Sequence, residues 1–180
     1  IVVISPDHYA KCPTLLCTTY GSYETFFGSV DISRTAVGVL LGQHEIVRES
    51  DLFTDEHGIY AIVPFIKHYA PEAQIVPIVV SQQGRDDKAM RAKVSTLLSS
   101  ILSDRKAVLI VSSDFSHYEP LAEADDLDKR TEHIFCTGAG DDILRLKNPS
   151  QSDCPLCLWL LDQEESRRGA WHPIQLWHSN

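Results

Sequence analysis

The sequence predicts an α/β fold, an αβα sandwich around a central mixed sheet, and three observations carry that expectation. Short runs of β-branched and apolar residues recur at Ile1–Ile4, Gln74–Val80 and Ala107–Val111, as in strands covered on both faces. Between such runs lie segments with apolar residues at helical spacing. The clearest is Asp87–Leu102, where Met90, Val94, Leu97, Leu98 and Ile101 form one stripe. Polar loops follow the runs, and strands alternating with amphipathic helices pack as layers.

Each element can be justified in order. Ile1–Ile4 is a continuous β-branched run closed by Pro6 in Ser5-Pro6-Asp7-His8-Tyr9. Leu15–Thr19 and Phe26–Ile32 read as short strands, separated at Gly21 and Ser22. Ser33 caps a helix bearing Val37, Leu40, Leu41 and His44. A second helix starts near Glu56, with Ile59, Ile62, Val63 and Ile66 on one face, and Pro64 inside it predicts a kink or a late start. After strand Gln74–Val80, helix Asp87–Leu102 and strand Ala107–Val111, helices are expected over Ala122–Cys136 and Cys154–Glu165, and a last strand over Ile174–Trp177. No repeat or linker interrupts residues 1–180, so a single domain is expected.

Composition narrows the function classes. Sixteen Lys+Arg against twenty-five Asp+Glu leave 16 − 25 = −9 over 180 residues, which argues against nucleic acid or anionic lipid as a partner. No apolar run has the length of a membrane span. Five cysteines without a dense pairing pattern point to a reducing, cytoplasmic setting, with Cys12, Cys17 and Cys136 as core or surface thiols. The chain opens inside a strand-like run and stops at Trp177-His178-Ser179-Asn180, so it reads as a domain cut at both ends.

Three polar clusters fall at element ends, where α/β proteins place ligands. They are Asp7-His8-Tyr9, Asp114 with His117, and Glu56-His57. Histidines at the ends of separate strands can converge on one metal, and a neighbouring carboxylate can orient such a ligand. The simpler reading makes the histidines surface or capping groups and Glu56 a helix N-terminal carboxylate. Cys154-Pro155-Leu156-Cys157 is a lone C-x-x-C at a helix start, without the strand context of a redox motif or the second pair of a zinc ribbon. The acidic run Glu123, Asp125, Asp126 and Asp128 reads as a solvated helix face.

Four ordered blocks then carry a resemblance. Ser5-Pro6-Asp7-His8-Tyr9, Glu56-His57-Gly58-Ile59 with Pro64-Phe65-Ile66, Ile75-Val76-Pro77-Ile78-Val79 and Ser112-Ser113-Asp114-Phe115-Ser116-His117-Tyr118 resemble the G-P-S-H-H, E-H-S-I-E-x-x-L-P-[YF], I-V-P-[VI]-x-V and S-S-D-[FL]-[ST]-H-[YW] blocks of the Memo-like family, also called AmmeMemoRadiSam system protein B. The resemblance implies a fold related to the LigB-like class III extradiol dioxygenases, which hold non-haem Fe(II) with two histidines and a carboxylate. By position it implies His8 and His117 as pocket histidines and metal ligands, and Asp114 as a carboxylate in or behind the pocket. Cys154 becomes the pocket cysteine and a third metal ligand, with Cys157 as the alternative cysteine, and Tyr9, Glu56 and His57 become supports. The implied cofactor is a divalent metal, Fe(II) before Cu or Zn. Two departures stand out. The family's upstream P-H-A-G histidine block is absent from this chain, and Tyr60 and Ile62 replace polar family positions. Two functions follow as expectations. One is a metal-dependent oxidoreductase acting on a small molecule. The other is a non-catalytic adaptor using the same cleft, with Tyr9, Phe115 and Tyr118, for a peptide or protein.

Overall fold

The computed structural model describes residues 1–103, 106–137 and 140–169. The expected strand Ile174–Trp177, with His172 and His178, lies outside the described residues. Chain contacts divide the protein into two compact units, Ile1–Ser112 and the part from Ser113 onward.

The first unit holds a five-stranded sheet. Its strands are β1 (Val2–Pro6), β2 (Leu16–Thr18), β5 (Val47–Glu49), β6 (Val76–Val80) and β7 (Leu109–Val111), in the order β5-β2-β6-β1-β7. β1 pairs in parallel with both β6 and β7, β2 in parallel with β5, and β2 antiparallel with β6. The sheet is therefore mixed, as expected. Every residue of β1 and β6 is buried, which is why their sequences are apolar without alternation. A separate hairpin, β3 (Tyr23–Thr25) and β4 (Gly28–Val30), replaces the strand expected over Phe26–Ile32. Gly28 supplies φ +106° at its turn, so the chain reverses where a continuous strand was expected.

The helices of this unit are α1 (Arg34–Leu41), α2 (His57–Tyr60), α3 (Val63–Tyr69) and α4 (Lys88–Ile101). Pro64 occupies the first turn of α3, where its missing N–H costs nothing, so the expected interruption is a fresh helix start. Asp87 caps α4 by accepting from the Met90 N–H at 3.0 Å. Among the described residues no helix is long and apolar enough to cross a membrane.

The second unit contains α5 (Leu121–Cys136), the short α6 (Gly140–Ile143) and α7 (Pro155–Arg168). α7 buries Leu156, Leu158, Trp159 and Leu160 along its first turns. Cys136 is an exposed free thiol.

Candidate metal centre

β1 ends at Pro6, and the Asp7 N–H bonds back to the Val80 carbonyl at 3.1 Å, so the chain leaves the sheet at a fixed point. The Asp7 carboxylate then accepts from the backbone N–H groups of Lys11 and Cys12 at 3.0 and 2.7 Å. That folds the loop around His8 and Tyr9. The same curl brings Cys12 to Cys17 of β2, with Cα atoms 5.8 Å apart, and the two are joined in a disulfide. The expectation of two unpaired thiols is corrected accordingly.

From the other side, α2 presents its N-terminus. Glu56 is the helix cap, its Oε1 accepting from the Gly58 N–H at 3.1 Å, and it is wholly buried. Oε1 also accepts from the His8 ring Nδ1 at 2.5 Å, and Oε2 from the His8 backbone N–H at 3.1 Å. The capping role and the histidine-orienting role expected as alternatives are therefore one residue's single set of bonds. Burial pushes the Glu56 carboxyl up, but the His8 and Gly58 donors outweigh it and hold the group below its ordinary value. An ionised Glu56 accepts from His8 Nδ1 and so fixes the orientation of the ring.

His57 stacks on His8 with ring centroids 4.0 Å apart, and its Nδ1 lies 3.3 Å from the Tyr9 hydroxyl. His8, Glu56 and His57 can each offer a ligand atom within 4.8 Å of the others. Both Glu56 oxygens accept protein N–H groups, so within this cluster Glu56 orients His8. The structure thus brings together four of the expected residues, Tyr9, His8, Glu56 and His57.

Sequence reasoning missed three contributors in this unit. Ser5 and Gly58 meet beneath His8. Among the described residues the buried Tyr23 hydroxyl has no hydrogen-bond partner, and burial followed by the charge of Glu56 raises its pKa. A cleft of about 780 Å³ is lined by Tyr23, Phe26, Phe53, Tyr60 and Val63, but not by His8 or His57. Only the lone tyrosine in an otherwise polar Gly21–Glu24 stretch could have drawn attention to it.

The second unit holds Asp114, His117 and Cys154. Ser113 Oγ donates to Asp153 Oδ1 at 2.7 Å, and the Asp114 N–H donates to the same oxygen at 3.0 Å. The Asp153 N–H returns a bond to the Asp114 carbonyl at 3.1 Å. The Ser116 N–H donates to Asp128 at 2.9 Å, and its hydroxyl to the Ala124 carbonyl at 3.2 Å. Asp128 is thus a loop anchor, not a member of a purely solvated face. The His117 N–H reaches the Pro149 carbonyl at 3.1 Å, while its ring Nδ1 donates to the Phe115 carbonyl at 2.7 Å. The His117 ring is thereby held by a single fixed acceptor at Nδ1.

Cys154 departs from expectation. It caps α7, and the three-residue spacing puts its Cα 5.2 Å from that of Cys157, to which it is disulfide-bonded. A sulfur in a disulfide is not the thiolate that binds metal, so Cys154 is not a ligand in this state, and Cys157 is not a simple buried thiol.

The Memo-like protein family model matches residues 1–145. A MEMO1 family protein of Pyrobaculum aerophilum is 32% identical over 122 residues, covering 66% of this chain and 42% of that protein. One from Caldivirga maquilingensis is 31% identical over 132 residues, 72% of this chain and 46% of its own. A relative in Methanosarcina acetivorans is 30% identical over 164 residues, 84% of this chain and 53% of its own. The chain spans about half the length of these relatives. With a matched stretch that takes in the His8 loop, the Glu56 cap and the Ser113–His117 loop, the chain belongs to the Memo-like family.

Proposed function

We propose that this Memo-like chain holds a divalent metal, Fe(II) before Cu or Zn, with His8 and His117 as candidate ligands. In this reading it serves as an oxidoreductase related to the extradiol dioxygenases. One observation carries the reading. His8 and His117 each commit Nδ1 to a fixed acceptor, the Glu56 carboxylate at 2.5 Å and the Phe115 carbonyl at 2.7 Å. Imidazoles oriented in this way are what a metal site requires of its ligands. The donor set fits the metal, which would supply Lewis acidity and redox chemistry toward a small substrate.

The chain's own residues account for the rest of the reading. Glu56 holds a proton at His8 Nδ1 and balances the charge at the ring. His57, half-exposed, accepts or returns a proton at Nδ1 through the Tyr9 hydroxyl. Asp114, exposed and with its backbone pinned by Asp153, is the carboxylate of the second unit. The Cys154–Cys157 disulfide keeps Cys154 out of the donor set in this state.

The second reading is an adaptor for a peptide or protein. It is favoured by the exposure of Tyr9 at 50%, Phe115 at 44% and Tyr118 at 94%, since exposed aromatics are common anchors. Elemental analysis of anaerobically purified protein separates the two. The oxidoreductase reading expects near-stoichiometric iron or copper, lost in His8→Ala and in His117→Ala. Metal content unchanged in both variants sinks the metal reading, and no metal in any form leaves the adaptor.

A further inference from the structure

Gly58 is buried at the second position of α2, and its φ lies outside the left-handed region. The backbone therefore places no demand for glycine there; the demand comes from space. A Cβ at this position would overlap Ser5 Oγ and lie 3.0 Å from Ser5 Cβ and 3.1 Å from His8 Cε1. Ser5 is itself wholly buried near the end of β1, three residues before His8. Two backbones thus approach so closely that their two side-chain positions share one volume, and Ser5 fills it.

This approach has a consequence at the site. Glu56 can hold both the ring and the backbone N–H of His8 only because the first turn of α2 lies against the end of β1. Any atom inserted at position 58 must push against Ser5 or against the His8 ring edge. Packed interiors do not absorb even one methyl group without movement.

We propose that Ser5 and Gly58 are a coupled pair of positioning residues that sets the His8 ring against Glu56. The pair admits one side chain between its two positions, so a side chain gained at 58 is tolerated when that at 5 is given up. With Ser5→Gly the two closest obstacles vanish, and only the His8 ring edge at 3.1 Å remains, which a shift of a few tenths of an ångström relieves. The geometry concerns the protein alone; its effect on metal affinity rests on the reading of His8 as a ligand.

The test is a double-mutant cycle on the full chain with Ser5→Gly, Gly58→Ala and the double variant. Two readouts are used: the downfield His8 Nδ1–H resonance in ¹⁵N-histidine NMR spectra, and titration with Fe(II) or Zn(II) alone. Gly58→Ala is expected to lose the resonance and weaken metal binding by roughly tenfold or more. The double variant is expected to regain both, to within about threefold in affinity. If Gly58→Ala does not fold, recovery of folding in the double variant supports the pair equally. The proposal is overturned if Gly58→Ala keeps the wild-type resonance, or if adding Ser5→Gly brings no recovery. If the resonance follows the cycle but wild type binds neither metal, the pair stands and the metal reading falls. If wild type binds metal and the cycle is additive, the pair falls and the metal reading stands.

Discussion

At the scale of single residues, Glu56 concentrates the constraints of the first unit. Its two oxygens accept three N–H groups, from the His8 ring, the His8 backbone and Gly58, and no water can replace a lost bond at a wholly buried carboxylate. A glutamine there must turn its NH₂ group toward at least one N–H donor, so one buried bond becomes a repulsion. Glu56→Gln is therefore expected to cost on the order of 1–3 kcal/mol in chemical denaturation. It should also weaken metal binding by roughly 10–100-fold. Wild-type stability in Glu56→Gln would mean that the His8 ring is held by other means. This residue was half legible in the sequence. A carboxylate at a helix start is a recognisable cap, but nothing in the chain order says that the same carboxylate meets a histidine 48 positions earlier. Ser5 and Gly58 were illegible as a pair, because a shared volume is a property of packing and leaves no local pattern.

At the scale of elements, the second unit's Ser113–His117 loop is shaped by the segment that precedes α7. Asp153 Oδ1 gathers the Ser113 hydroxyl and the Asp114 N–H, and the Pro149 carbonyl takes the His117 N–H. Asp153→Ala takes this acceptor from the Asp114 N–H, while the Ser113 hydroxyl keeps Ser152 Oγ at 3.1 Å, and is expected to cost about 1–3 kcal/mol. It should also speed hydrogen exchange at the Asp114 amide, while amides inside α5 keep their protection. Unchanged exchange at Asp114 would show that the loop needs no such anchor. The longer elements were readable because their signals are local. Asp87 and the Val94, Leu97, Leu98 stripe define α4 within a residue of its expected ends. The all-apolar β1 and β6 announce burial on two faces. What escaped is what tertiary contacts decide. The three-residue strand β5 is too short to carry a period. The β3–β4 hairpin turns at Phe26-Phe27, where apolar residues hide the reversal. Cys12 and Cys17 pair because the Asp7 carboxylate curls the loop between them.

At the scale of the whole molecule, net charge and buried charge pull in different directions, and one residue exposes the difference. Asp162 lies on α7, 4% exposed, with Gln163 donating to its carboxylate at 3.2 Å and the Gly140 position beside Oδ2. Burial raises its pKa above the ordinary 3.8, and the Gln163 bond only partly offsets this. The folded protein therefore binds this proton more tightly than the unfolded chain does. The stabilisation from Asp162 is complete below the unfolded value of 3.8, and it is lost as pH rises through the folded value. At neutral pH the carboxylate is then a buried negative charge in a chain that already carries −9. Asp162→Asn keeps an acceptor for Gln163 and removes the charge. It is expected to raise neutral-pH stability by about 1 kcal/mol, or roughly 2–4 °C in Tm for a chain of this size. The gain should shrink as pH falls toward 4 and vanish below it, because wild-type Asp162 is protonated there. Thermal melts of both proteins across that range check the sign directly: a variant less stable than wild type at pH 7 would mean that the Asp162 carboxylate is compensated in the folded state, with its pKa below and not above the unfolded value.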